Sequence, residues 1–266
     1  MALCPHTLGV DLGQARDYTS VAVLQEAYWL TAQQAGLMGV LLSEPAAWVW
    51  PSQFASPVQI DEARSLNYYQ GRPPNPPLAL VHLDRYDLHT PYPEIVKRIG
   101  ELIQTPPLRL ASTPLVVDAT GVGRPVVDMM AQAGLGPTSV TITSGFTVTR
   151  DPEDGGYRVP KRDLVMTMSV LLEQRRLRIP TSLPNADLLT RELQEFRRTV
   201  TKVGNDTYAA ERDRHDDMVL SIALAAWHRE FMNGLIEQQN ARVDRQATVA
   251  AEELEAQERR RLRARS

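Results

Sequence analysis

The sequence predicts an α/β protein built on one mixed sheet flanked by helices, and three observations carry that reading. Leu8-Gly9-Val10-Asp11-Leu12-Gly13 and Thr19-Ser20-Val21-Ala22-Val23-Leu24 are strand-like runs separated only by residues 14–18, a link short enough to argue for an antiparallel hairpin. Apolar runs at 78–83, 115–118 and 139–142 then alternate with helical spacing at 92–103 and 125–132. That order implies parallel pairing in this half of the sheet. Three further helical segments follow, at 161–174, at 185–196 and from Asp216-Asp217 onward.

Each element has its own signal. The first strand ends in a glycine turn at Gly13, and the second is rich in β-branched residues. Residues 25–77 are predicted to be an insertion after the second strand, partly helical and partly loop. Ala27-Tyr28-Trp29-Leu30 and Val40-Leu41-Leu42 are apolar there, but Pro51, Pro57, Pro73, Pro74, Pro76 and Pro77 punctuate the segment. Ile95, Ile99, Leu102 and Ile103 recur with helical spacing. Pro125 suits the first turn of the next helix. Residues 145–159 read as a polar connection, and 177–180 as a short extended piece. Leu164, Met168 and Leu171 share one face of the 161–174 helix. Thr199 to Ala210 looks like a hairpin around Gly204-Asn205-Asp206. The helix after Asp216-Asp217 is expected to present Leu220, Ala223, Leu224 and Trp227 inward. Residues 1–235 are thus expected to form the main domain and 236–266 a charged helical or disordered tail ending in Arg259, Arg260, Arg261, Arg263 and Arg265.

Composition removes several classes of function. The formal net charge is −3, so a surface for nucleic acid has to be a local basic patch working against the average. The single cysteine, Cys4, allows no internal disulfide, and with only five scattered histidines a structural zinc site is not expected. Aspartates remain as ligands, and those select hard cations such as magnesium or manganese. No apolar run approaches the roughly 18 residues of a membrane span. The segment Met1-Ala2-Leu3-Cys4-Pro5 has no basic or long apolar region of a secretory signal, which reads as an intracellular protein.

Three carboxylate stations stand far apart along the chain: Asp11 near the end of the first strand, Asp118 ending a later strand, and Asp216-Asp217 opening the late helix. In an α/β sheet, residues at the carboxyl ends of adjacent parallel strands point into one crevice. A helix beside the sheet can bring its first turn to the same place. Phosphodiester cleavage has to activate a water and stabilise a leaving oxygen, which two cations about 3.5–4 Å apart can do together. Aspartates forced together repel one another, and bound metal relieves the repulsion. Each station also has an ordinary explanation. Asp11 and Asp118 suit strand-ending turns, and Asp216-Asp217 suit helix N-caps.

Gly9-Val10-Asp11-Leu12-Gly13 with Asp17, then Val117-Asp118-Ala119-Thr120-Gly121-Val122-Gly123, then His215-Asp216-Asp217-Met218-Val219 entering an alanine-rich helix, together resemble the nuclease domain of bacteriophage large terminase subunits over roughly residues 7–230. The resemblance implies an RNase H/RuvC-like fold and a metal-dependent endonuclease that cuts double-stranded viral DNA during genome packaging. It implies two Mg2+ or Mn2+ ions, with Asp11 bridging them, Asp118 holding one and Asp217 the other. Asp216 would assist or substitute, and Asp17 matches a further acidic position. Implied partners are DNA, a portal, a small terminase subunit and an ATPase domain, in the host cytoplasm. The chain lacks the G-x-x-x-x-G-K-[ST] loop of that ATPase domain, since Gly121-Val122-Gly123-Arg124 is not followed by Lys-Ser or Lys-Thr. An isolated or naturally separate nuclease is therefore expected. Lys161, Arg162 and Arg124 are candidate contacts for DNA phosphates, against the commoner solvated basic side chain. His215 beside the acids could assist proton transfer, against the default of a surface histidine.

Other readings of the same residues stay open. Asp11-Leu12-Gly13 and Asp118-Ala119-Thr120-Gly121 also resemble the phosphate motifs of actin-like ATPases and sugar kinases, although Asp216-Asp217 have no role there. A non-catalytic packaging module would use the proline-rich insertion and the basic tail for docking. A junction resolvase of the same superfold would be expected to be basic, unlike this chain.

Overall fold

In the computed structural model, the described residues are 6–13, 17–44, 46–50, 75–111, 113–121, 123–202, 216–235, 238 and 245. The chain divides into two compact units, 1–228 and 229–266. The described residues of the second unit are helical.

Ten strands and six helices carry the argument. The strands are β1 (His6–Asp11), β2 (Thr19–Glu26), β3 (Tyr28–Thr31), β4 (Ala46–Val49), β5 (Leu78–Tyr86), β6 (Leu115–Asp118), β7 (Thr138–Thr143), β8 (Thr149–Arg150), β9 (Tyr157–Pro160) and β10 (Leu177–Arg178). The helices are α1 (Ala32–Leu37), α2 (Tyr92–Gln104), α3 (Gly123–Gln132), α4 (Lys161–Glu173), α5 (Ala186–Lys202) and α6, residues 217–235.

Eight strands form one mixed sheet in the order β10-β5-β2-β1-β6-β7-β9-β8. As the sequence predicts, β1 and β2 are antiparallel neighbours, and β6 and β7 run parallel to β1. β5 pairs antiparallel with β2. This hairpin-first, crossover-later order is the RNase H-like mixed sheet expected above. It puts the carboxyl ends of β1 and β6 side by side.

One face of the sheet is apolar and closed. Leu8, Val10, Val21, Val23, Leu115 and Val117 pack there against Ile95, Val96 and Ile99 of α2 and Val126, Val127 and Met130 of α3. Ile99 is fully buried in this layer, so Ile99→Ala is expected to cost about 2–5 kcal/mol of stability in urea unfolding. A loss below about 1 kcal/mol would show that the layer collapses around the gap.

The opposite face carries the polar register. Val10 aligns with Val21 and Val117, so the next position sets Asp11 against Ser20 and beside Asp118. Ser20 in turn aligns with Arg85. Helix α6 crosses this face. A Cβ on Gly9 would lie 2.0 Å from the Ser221 carbonyl oxygen and 2.9 Å from the Ala225 nitrogen. Only a residue without a side chain lets helix backbone come this near to strand backbone. Ser20 and Ser221 hydroxyls meet at 3.1 Å, and the Tyr157 and Trp227 rings pack edge to face at 5.5 Å.

Four expectations need correction. Residues 145–159 are more than a polar connection, because they hold β8 and the start of β9. The alternation Tyr157-Arg158-Val159 is too short to stand out, yet β7 supplies a parallel partner for it. The described part of the 25–77 segment contains a separate two-stranded sheet, β3 with β4, as well as helix and loop. Its own apolar cluster holds Tyr28, Leu30, Met38 and Val49. The hairpin expected from Thr199 is contradicted at 199–202, which continue α5. Helix hydrogen bonding there overrides the β-branched preference of Thr199, Val200 and Thr201. The remainder of that hairpin, His215, Cys4 and most of the basic tail lie outside the described residues. Finally, α6 is buried on every side from 217 to 228, not only at Leu220, Ala223, Leu224 and Trp227. A helix that is apolar all round belongs inside.

Candidate metal centre

Asp11 ends the central strand and is buried. Its carboxyl group is pushed well above the ordinary 3.8, first by burial and then by the charges of Asp118, Asp217, Asp216 and Asp17, in that order. The folded chain has thus brought the other four acids singled out in the sequence into electrostatic range of the buried Asp11 carboxylate. Asp118 is also raised, mainly by burial. Hydrogen bonds from Thr120 and one shared with Asp11 oppose that shift, as does the Lys161 charge.

The turn after Asp118 is built to hold its carboxylate. The Thr120 amide donates to Asp118 Oδ1 at 2.8 Å, and the Thr120 hydroxyl accepts from the Ile142 amide at 2.9 Å. Gly121 has φ +65°, a left-handed conformation that suits glycine. A Cβ on Gly123 would sit 2.3 Å from the Asp118 carbonyl oxygen. The two glycines therefore let the chain reverse tightly from strand β6 into α3.

The Asp216-Asp217 doublet opens α6. Asp217 is 5% exposed, whereas Asp216 is half-buried with Oδ2 at 3.4 Å from Lys161 Nζ. Asp17 is exposed and lines a cleft of about 340 Å³ together with Asp87, His89 and Thr90. It repels Asp11 least of the four acids named above.

The three basic candidates already have partners. Lys161 meets Asp216. Arg124 pairs with Glu153 at 3.3 Å and Asp154 at 3.0 Å. Arg162 pairs with Asp163 at 3.4 Å, donates to the Phe146 carbonyl at 2.6 Å and lies over the Phe146 ring. A phosphate would have to compete with these contacts.

Two residues escaped the sequence reading. Glu192 of α5 is 5% exposed, and its Oε2 accepts from the Met218 and Val219 amides at 3.1 and 3.4 Å. Arg85 of β5 lies 3.8 Å from Glu192 Oε1 and 3.7 Å above the Tyr18 ring. The sequence holds one trace of this: Glu192 falls three residues after Leu189, and the two are the buried residues of α5 among those whose burial is described.

The donor chemistry fits a hard divalent cation. Every candidate ligand is an anionic oxygen, and burial together with the neighbouring charges disfavours the ionised form of Asp11, which is the imbalance a dication corrects. Among the described residues, no three histidine, cysteine or carboxylate side chains converge tightly enough to enclose a metal ion as they stand. Among the described residues, no helix is long and apolar enough to cross a membrane.

A scan against protein-family models finds no match, and neither does a search of curated proteins. Among solved structures, the chain is similar to the large terminase nuclease from thermophilic phage G20c with bound magnesium. The two are 18% identical, the alignment covers 84% of this chain and 80% of that one, and the TM-score is 0.45. It is also similar to the human cytomegalovirus terminase nuclease domain, manganese-soaked, at 11% identity over 86% of each chain and a TM-score of 0.41.

Proposed function

We propose that this chain is a divalent-cation-dependent endonuclease that cleaves double-stranded viral DNA during genome packaging, with two Mg2+ or Mn2+ ions at Asp11, Asp118 and Asp217. The observation that carries the reading is the buried Asp11 at the end of β1, set beside Asp118 by the β1–β6 register and loaded by the charges of Asp118 from β6 and of Asp217 and Asp216 from the start of α6. A fold gains nothing in stability from gathering like charges round a buried acid, so the cluster is best explained by a cation. The ordered motifs of the sequence support the same conclusion.

On this reading Asp11, Asp118 and Asp217 would hold the ions, with Asp216 and Asp17 assisting from the rim. Bound there, the ions would supply charge to polarise the scissile phosphate and to lower the pKa of an attacking water. The chain's own residues set the geometry: Thr120 orients Asp118, and Gly9 seats α6 so that Asp217 reaches the strand ends. Lys161, Arg162 and Arg124 contact DNA phosphates after exchanging their present carboxylate or carbonyl partners. Residues 1–235 form the nuclease domain with 25–77 inserted, and 236–266 form the tail. A portal, a small terminase subunit and an ATPase domain are the partners, in the host cytoplasm.

Purified protein is expected to nick or linearise plasmid DNA with Mn2+ or Mg2+, and to stop on chelation. Asp118→Ala is expected to reduce cleavage at least about a hundredfold, the scale of losing a few kcal/mol of transition-state stabilisation. Full activity in that variant would remove the site assignment.

A further inference from the structure

We propose that Glu192 is a positioning residue that caps α6 from a neighbouring helix and so relieves Asp216 and Asp217 of the capping task, an inference that rests on the metal-centre reading above. The first amides of a helix have no partner within it, and the residue just before the helix commonly supplies one with its side chain. Asp216 holds that position: the first bond of α6 runs from the Leu220 amide to the Asp216 carbonyl at 2.8 Å. Its carboxylate is placed by sequence to accept from Met218 and Val219. Both of those amides donate to Glu192 Oε2 instead, and Asp216 Oδ2 is turned to Lys161. The plain N-cap explanation of the doublet thus fails on geometry.

The substitution is not electrostatically neutral. Glu192 is buried, and burial first, then the Asp217 charge, push its carboxyl up to about 7. A fold that merely had to end a helix could use Asp216 and avoid a second buried acid beside Asp217. Arg85 offsets part of the penalty from the far side of Glu192 and ties the cap to β5, the strand whose Arg85 shares a register row with Ser20 and Asp11. A carboxylate oxygen that accepts two backbone amides has little lone-pair capacity left for a cation, whereas the single amide on Asp118 Oδ1 only orients that ligand. Moving that duty to Glu192 leaves the doublet as a better cation ligand, held at a fixed distance from Asp11.

Two variants of the full chain separate the cap from the charge. Glu192→Gln keeps an acceptor oxygen at the right length. Glu192→Asp keeps the charge but withdraws it from the amides. Mn2+ binding by titration calorimetry is expected to stay within about threefold of the parent for Glu192→Gln and to weaken at least about tenfold for Glu192→Asp, the usual scale for a group that orients a ligand. Hydrogen exchange at the Met218 and Val219 amides is expected to accelerate only in Glu192→Asp. The reverse ranking, or equal affinity in all three proteins, overturns the cap while leaving the metal centre intact. Absence of Mn2+ binding by the parent chain overturns the metal centre itself and this role with it.

Discussion

Asp11→Asn is expected to lower plasmid cleavage by about a thousandfold or more, while raising the thermal stability of the metal-free protein. The first effect follows from position. Asp11 is a buried carboxylate on which the other acids act, and on the proposed mechanism it would hold the cations together with Asp118 and Asp217. Losing that anion removes several kcal/mol of transition-state stabilisation, and each 1.36 kcal/mol is tenfold in rate. The second effect has the opposite sign for the same reason. The folded state holds the Asp11 carboxyl well above 3.8, so folding favours its protonated form. That stabilisation is complete below about 3.8 and is lost as pH rises through the higher folded value. Asparagine mimics the neutral form at every pH and lacks this loss. Thermal melts in chelator between pH 4 and pH 8 test it: parent and variant should diverge as pH rises, and added Mn2+ should stabilise only the parent. A variant that cuts DNA normally, or that melts below the parent at high pH in chelator, contradicts the assignment of Asp11.

Gly9→Ala is expected to destabilise the main unit by about 3 kcal/mol or more, the upper end of what overpacking costs. The added methyl would stand 2.0 Å from a backbone oxygen of α6 and 3.0 Å from the Ala225 methyl. Neither neighbour is a flexible side-chain tip, so the helix itself has to move. Because α6 begins at the Asp216-Asp217 doublet, the shift is expected to reach the site as well, and Mn2+ affinity should fall along with stability. Urea unfolding measures the first and calorimetry the second. A stability loss under about 1 kcal/mol would mean that α6 does not rest on β1 as described. A normal cation affinity despite a large stability loss would separate the packing of α6 from the placement of Asp217.

Much of the fold was legible because its signals are local. The β1–β2 hairpin, the crossover order and the apolar stripes of α2 and α4 are periodic patterns that read the same in any context. Leu164, Met168 and Leu171 are buried as that pattern requires. Segments whose structure depends on a partner were not legible. β9 is a strand because β7 lies beside it, and 199–202 are helical because α5 propagates into them. The all-round burial of α6 was likewise hidden, since Ser221 and Ala225 look unremarkable until Gly9 brings β1 onto them.

The sequence by itself determined which acids are candidates and in what order they stand along the chain, because residue type and motif order are properties of the covalent polymer. Tertiary structure alone decided that Asp118, Asp217 and Asp216 all press on Asp11, and that Lys161, Arg124 and Arg162 are already engaged. It also decided that the α6 amides belong to Glu192 rather than to Asp216. Coulomb energies and hydrogen bonds depend on distance in space, and residues as far apart as 11 and 217 acquire such a distance only when β1 and α6 pack together.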